Sequence, residues 1–320
     1  VMLAILRLRK NEERLMLRLY EKKTKYFPSK SIRDISLVIL GLVLVVCAQA
    51  QGSPPPGGPK GGGGPMAGIG LPLGFLEEDK DYKFPDDITK YTAKDFLMLV
   101  RRTDIRSSFY NSDMSATITT VNVSPTRGTF VTKEQIFRRD KDDAFLMLTL
   151  EPESRKGQGM LRVNNNMWRY DPTSRKFTHT TLKDTYENTT VTNNDFRRWQ
   201  RSIDYSVEKL STGTLGNYKV IIGELRANND EVPFPYIKMY VEADRKIVLK
   251  VEEYSLSMKL LRTAYYTQYV QIGDSFVPTV QIFQDGLVPE KRSQVTYTNI
   301  STKPLPDYYF TKEYLERVSQ

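Results

Sequence analysis

One cysteine, one histidine and two tryptophans in 320 residues leave little of the usual catalytic and metal-binding repertoire. Cys47 alone cannot close a disulfide within the chain, and it offers no thiolate cluster. His179 has no second histidine with which to build a zinc site or an imidazole acid–base pair, so only carboxylates remain to complete a ligand set. Long apolar runs are also scarce. Ile35–Val46 (ISLVILGLVLVV) is one such run, and its twelve residues rise only about 18 Å as a helix against about 30 Å of bilayer hydrocarbon.

That run lies in a leader with its own character. Residues 1–50 hold ten of the 47 Lys and Arg but only four of the 38 acids, and the rest of the chain is close to balanced at 37 bases and 34 acids. The formal net charge of +9 is therefore concentrated in the leader, and a nucleic-acid partner loses its main support. Basic residues to Arg33, the apolar run, and then Ala48, Gln49 and Ala50 have the order of a secretory signal peptide cleaved near Ala50. Residues 1–30 make a long n-region, and Met16 reads as a more ordinary start. The alternative is a lipid anchor at Cys47, against which Val46 speaks, because a small side chain belongs before an acylated cysteine. Between residues 51 and 80, GSPPPGGPKGGGGPMAGIGLPLGF cannot build a hydrogen-bonded element and reads as a flexible tether. Its GPKGGGGP portion lacks the Gly-Lys-Ser/Thr of a phosphate loop.

The third segment, 81–320, is the folded domain. Thr92 and Asp95 form a cap pair ahead of Phe96, Leu97, Leu99 and Val100, which predicts one amphipathic helix. Period-two alternation bounded by turn residues then predicts strands at 113–123, 129–138, 144–151, 159–163, 166–170 and 175–181. Asn193, Asn194 and Asp195 ahead of Phe196, Trp199 and Ile203 predict a short helix. Further strands follow at 205–210, 217–225, 236–241, 247–255, 260–271, 276–284 and 292–300, and Thr311 caps a last helix with Phe310 and Leu315 as a staple. So many strands cannot stay flat, because twist curls a large sheet. The predicted fold is mainly β with short α-helices: a large curved antiparallel sheet, an incomplete, half-open β-barrel plugged by helices.

Few constellations carry chemistry. His179 alternates on a strand and reads as a surface or half-buried side chain. Ser206 and Lys209 match S-x-x-K, but in a strand pattern and without the partner motifs of penicillin-recognising enzymes. Asp142 and Asp143 read as solvated turn residues. No cofactor, metal or catalytic residue is expected, and function should lie in the shape of the sheet.

The run NNMWRYDP (165–172), followed by the basic strand SRKFTHT, resembles the G-x-x-W-x-Y-x-P segment of the LolA-like, outer-membrane lipoprotein-sorting family. Gly157, Gly159, Met160 and Leu161 before it, Asn193–Phe196, and then PYIKMYV (235–241), Val251–Tyr254 and Phe276–Thr279 fall in the family's order across roughly residues 85–318. The resemblance implies a periplasmic, non-enzymatic, monomeric carrier that shelters acyl chains of a lipoprotein or free lipid in an apolar cavity. An inner-membrane donor and an outer-membrane acceptor would be its partners. The alternative on the same fold is a sensor or scaffold that regulates a membrane partner. One departure is Glu151 before Pro152, where the best-known carriers have a latch arginine. Candidate cavity residues are Met114, Ala116, Ile118, Phe130, Leu146, Leu148, Trp168 and Tyr170, with Phe96, Leu99, Phe196 and Trp199 from the plugging helices. A register error of one residue would exchange the strand faces.

Overall fold

A computed structural model describes residues 82–319. The leader, the tether, Cys47 and the cleavage site near Ala50 lie outside the described residues.

Thirteen strands form one antiparallel sheet: β1 (Met114–Ser124), β2 (Gly128–Arg139), β3 (Ala144–Glu151), β4 (Gly159–Val163), β5 (Asn166–Asp171), β6 (Lys176–His179), β7 (Tyr205–Leu215), β8 (Tyr218–Ala227), β9 (Tyr236–Glu242), β10 (Val248–Tyr254), β11 (Leu260–Ile272), β12 (Ser275–Asp285) and β13 (Arg292–Ser301). Their spatial order is β6-β5-β4-β3-β2-β1-β13-β12-β11-β10-β9-β8-β7. The chain thus builds one wing outward from the centre. It then crosses to the far edge through residues 180–204, called the strap below, and builds the second wing inward until β13 pairs with β1. The sheet is open, with β6 and β7 at its edges.

Three short helices accompany it: α1 (Ala93–Arg106), α2 (Arg201–Asp204) and α3 (Lys312–Val318). At the start of α1, Asp95 N donates to Thr92 Oγ1 at 3.2 Å and Thr92 N donates to Asp95 Oδ2 at 2.7 Å, a reciprocal cap that the sequence announces. The predicted helix through Phe196, Trp199 and Ile203 does not form as one unit. Asn193–Phe196 is a single 3₁₀ turn capped by Thr192, Arg197 is extended, and α2 begins only at Arg201. Ion pairing of Arg197 and Arg198 to the sheet outweighs the local apolar stripe here.

The main core fills the space between one face of the sheet and α1 with the strap. Phe96, Leu99 and Val100 of α1 meet Met114, Ala116 and Ile118 of β1, Ile136 of β2, Phe145 and Met147 of β3, and residues of β8–β13. α1 also packs on β7, where Phe96 needs an unusually close approach to the neighbouring β8. A Cβ at Gly223 would stand 2.1 Å from the Phe96 ring. Gly223→Ala should therefore cost about 1–3 kcal/mol through overpacking. Urea unfolding checks it, and an unchanged midpoint would show that the ring can move aside.

A smaller core lies on the opposite face, where Leu315 of α3 packs on Leu146, Leu161 and Tyr170, with Leu148, Trp168 and Phe177 half-buried around it. β3 is apolar on both sides for this reason: Phe145 and Met147 meet the main core, whereas Leu146 meets α3. Gly159 admits Leu315, since a Cβ there would lie 2.4 Å from its Cδ1.

Candidate functional site

The site is the sheet face under the strap. Leu182, Tyr186, Val191 and Phe196 of the strap are buried against it, and Trp199 packs partly on the same core. Past Thr180, whose N–H still bonds the Met167 carbonyl of β5 at 3.0 Å, the strap takes no place in the sheet's ladder. Its one bridge, Thr185 to Thr192, is internal to it, so the strap closes a small loop of its own.

Discrete polar contacts hold it down. Arg262 of β11 donates to both carboxylate oxygens of Asp195 at 2.6 and 3.0 Å, to the Thr190 carbonyl at 2.9 Å and to Glu253 Oε1 of β10 at 2.9 Å, and its Nε bonds Glu253 Oε2. The guanidinium lies between the rings of Phe234 and Phe283, 4.8 and 4.6 Å from their centroids. Burial acts to lower the Arg262 pKa, but Asp195 and Glu253 outweigh it and hold the group well above its ordinary value. Burial pushes Glu253 the other way, upward, against the pull of Arg262.

A second contact centres on Asp143, in the left-handed region at φ 49° in the β2–β3 turn. Arg162 and Arg197 donate to its Oδ2 at 2.8 and 2.7 Å, and Arg198 Nε stands 3.8 Å from Oδ1. Burial alone would raise this carboxyl, yet Arg197 and Arg162 bring it down to about 2. Asp143 is therefore no solvated turn residue. Its side chain is 14% exposed and fixes one end of the strap. No short-range pattern announces this, because Arg197 is 54 residues away along the chain.

Two further contacts involve buried carboxylates, Asp104 and Glu134. Ser202 N donates to Asp104 Oδ2 of α1 at 2.8 Å, and burial pushes Asp104 up to about 6 against the opposing charge of Arg201. Tyr186 donates its hydroxyl to Glu134 Oε1 of β2 at 3.0 Å. Burial pushes Glu134 up to about 7, against the hydrogen bond from Tyr186.

Cavities at the strap measure about 30 Å³ each, one lined by Arg198, Arg201, Phe234 and Glu253, the other by Arg138, Arg197, Trp199 and Tyr297. That is room on the scale of a water molecule or two. Of the candidate cavity residues, Met114, Ala116, Ile118, Phe96, Leu99 and Phe196 lie together in the main core with Trp199 packed against it. Phe130 is half-buried and shares the Ile136 face of β2 nearer the β1–β2 turn. Leu146, Leu148, Trp168 and Tyr170 lie on the opposite face with α3. The inward side of β3, β4 and β5 belongs instead to Phe145, Met147, Met160 and Met167. The pattern of β3 could not decide between its faces, because both are apolar.

His179 is exposed on β6, its ring 6.0 Å from that of Trp168. Ser206 and Lys209 lie exposed on strand β7, not at a helix start. Glu151 is a surface residue paired with Lys133 at 3.3 Å. Among the described residues no helix is long and apolar enough to cross a membrane.

A half-open antiparallel sheet closed by a helix and a strap is the LolA-like fold, and solved structures agree. A LolA-superfamily protein from Nitrosomonas europaea superposes with a TM-score of 0.61 at 22% identity, over 70% of this chain and 99% of that one. A protein from Vibrio parahaemolyticus described as an outer-membrane lipoprotein-sorting protein domain gives 0.63 at 15%, over 71% and 100%. A DUF1329-family protein from Desulfovibrio piger gives 0.62 at 14%, over 70% and 98%. The chain belongs to the family whose model, described as uncharacterized-protein-like, matches residues 141–317. No curated protein sequence matches it significantly.

Proposed function

We propose that the protein is an exported, non-enzymatic carrier of the lipoprotein-sorting type, which takes acyl chains between the concave face of its sheet and α1 once the strap is displaced. The observation that carries this is the construction of the strap. It covers an apolar face with its own apolar side chains, yet ion pairs and side-chain hydrogen bonds hold it there, and no strand pairing beyond Thr180 does. Displacing it uncovers Met114, Ala116, Ile118 and Ile136 while the sheet ladder stays intact.

The energetics suit a carrier. At about 0.8 kcal/mol per buried methylene, a long acyl chain loses on the order of 10 kcal/mol when left in water, so a soluble intermediary must cover all of it. An acyl chain entering under the strap replaces the burial that the strap itself provides, so uptake and release both stay within reach of a modest driving force. Such a carrier works in the periplasm between an inner-membrane donor and an outer-membrane acceptor, and it needs neither nucleotide nor metal.

A locked variant tests it. Thr190 Oγ1 of the strap lies 2.8 Å from Ser293 Oγ of β13, so Thr190→Cys with Ser293→Cys places two thiols where a disulfide can tie the strap down. Oxidised protein should lose at least about tenfold in affinity for a fluorescent fatty acid, and reductant should restore it. Equal binding by the locked and reduced forms would show that acyl chains do not enter beneath the strap. The small size of the cavities at the strap favours a second reading, a sensor or scaffold whose partner docks outside. That reading is supported if no lipid is extracted from the purified protein and neither form binds the fatty acid.

A further inference from the structure

We propose that the sheet face under the strap carries a subsite for the uncharged, hydroxyl-bearing headgroup of an amphiphile, a subsite that Tyr186 and Thr190 of the strap occupy in the closed form. The inference rests on the carrier reading and names the class of its cargo.

The character of this face changes abruptly along three neighbouring strands. β1 runs inward-facing from Met114, Ala116 and Ile118 to Thr120 and Asn122, β2 from Ile136 to Glu134 and Thr132, and β13 from Val295 to Ser293. The register joins the polar members into one patch: Thr120 lies opposite Thr132, and Asn122 opposite Ser293. All five polar side chains are at most 2% exposed. A carrier for bare hydrocarbon has no use for such a patch, since polar groups under an apolar lid are costly to bury.

Hydroxyls from the strap meet the patch. Tyr186 donates to Glu134 Oε1 at 3.0 Å. Thr190 Oγ1 lies 2.8 Å from Ser293 Oγ, Thr190 N donates to that same oxygen at 3.2 Å, and Ser293 in turn donates to Asn122 Oδ1 at 2.7 Å. Meanwhile the Tyr186 ring, Val191 and Phe196 fill the apolar ground beside it. The strap thus behaves as an internal amphiphile, with its hydroxyls in the polar patch and its apolar side chains in the core. It is an imperfect occupant, because Thr120 Oγ1, Asn122 Nδ2 and Glu134 Oε2 are buried without a protein hydrogen-bond partner.

Those atoms define the complement. Glu134 Oε2 accepts, the Asn122 amide donates, and the Thr120 hydroxyl does either, which a glycerol or sugar headgroup satisfies with its own hydroxyls. A carboxylate or phosphate would bring its negative charge against Glu134, a carboxyl that burial already makes costly to ionise. Arg155, the cation that acts on Glu134, is already held by Glu187 at 2.8 Å.

Four amphiphiles with the same twelve-carbon chain test the proposal by calorimetry at pH 7 on the delipidated full chain: monolauroylglycerol, dodecyl glucoside, dodecanoate and dodecyl phosphate. At least one hydroxyl-headed ligand should bind about tenfold more tightly than either anion, the worth of one or two net hydrogen bonds. A preference confined to the glyceride or to the glucoside assigns the source of the headgroup. Thr120→Val with Thr132→Val, nearly unchanged in volume, should erase that preference while dodecanoate still binds, and Tyr186→Phe should strengthen the hydroxyl-headed ligand several-fold by weakening the competing strap. Equal binding of all four, tighter binding of an anion, or a preference that survives the double valine variant overturns the subsite alone. Failure of all four to bind overturns the carrier reading with it.

Discussion

Arg262→Ala should destabilise the protein by about 3–5 kcal/mol, the usual consequence of removing one member of a buried charge network and leaving its partners uncompensated. Arg262 is 5% exposed and satisfies Asp195, Glu253 and the Thr190 carbonyl at once. Without it Glu253, also buried, loses the one cation that hydrogen-bonds it, and the strap loses its bidentate attachment to β11. Urea unfolding reads the loss, and amide exchange at residues 190–195 should rise before the sheet exchanges. Glu253→Gln in the same background should return part of the stability, because it removes the stranded charge. A loss below about 1 kcal/mol, or exchange rising equally throughout, would mean that the strap is held by its apolar side chains and that Arg262 is incidental.

The second large effect is on pH dependence. Glu134 rises from 4.5 to about 7 and Asp104 from 3.8 to about 6, so the folded protein binds these protons more tightly than the unfolded chain does. Each group therefore withdraws stability as pH climbs from its unfolded value to its folded one, and the full loss is present above that. For Glu134 this comes to about 3 kcal/mol. Asp143 acts in the opposite sense. Lowered from 3.8 to about 2, it contributes stability that is present above 3.8 and disappears as the pH falls towards 2. Stability should therefore peak between about pH 4 and 5, below neutrality. Glu134→Gln should match the wild type near pH 5 and exceed it by a few kcal/mol at pH 8, a difference read from urea midpoints at the two values. If the variant is no more stable at pH 8, Glu134 is not carrying a buried charge there.

Much of the architecture is legible in the sequence because the sheet is built from neighbours. Each predicted strand corresponds to an observed one, and the turn residues between them are local signals. Thr92 with Asp95, and Thr311 accepting from Tyr314 N at the start of the last helix, are equally local. What escapes is whatever depends on residues far apart. The apolar stripe of Phe196, Trp199 and Ile203 suggests a helix, but Arg197 is drawn to Asp143 and the backbone is pulled straight. Asp143 itself reads as a solvated turn carboxylate until three arginines from distant segments arrive. The doubly apolar β3 conceals which face meets α1: Phe145 and Met147 share its core, whereas Leu146 and Leu148 lie with α3. The polar patch is concealed in the same way. Thr120 and Asn122 continue the Met114–Ile118 face of β1, and Thr132 and Glu134 the Ile136 face of β2, but no local signal says that polar residues there are buried.

The central seam has a consequence for how the chain assembles. Each wing is a meander whose strands pair with their neighbours in sequence, so each can zip from hairpins at small entropic cost. Joining β1 to β13 is different: Ser115 meets Ser301, and closing so long a loop costs more than any single hairpin. The two meanders are thus expected to exist before they meet, and residues 180–204, which tie their outer edges, can seat only after the seam has closed. Until then both inner faces stand open to solvent, and any hydrocarbon at hand during synthesis meets them before the chain's own cover does.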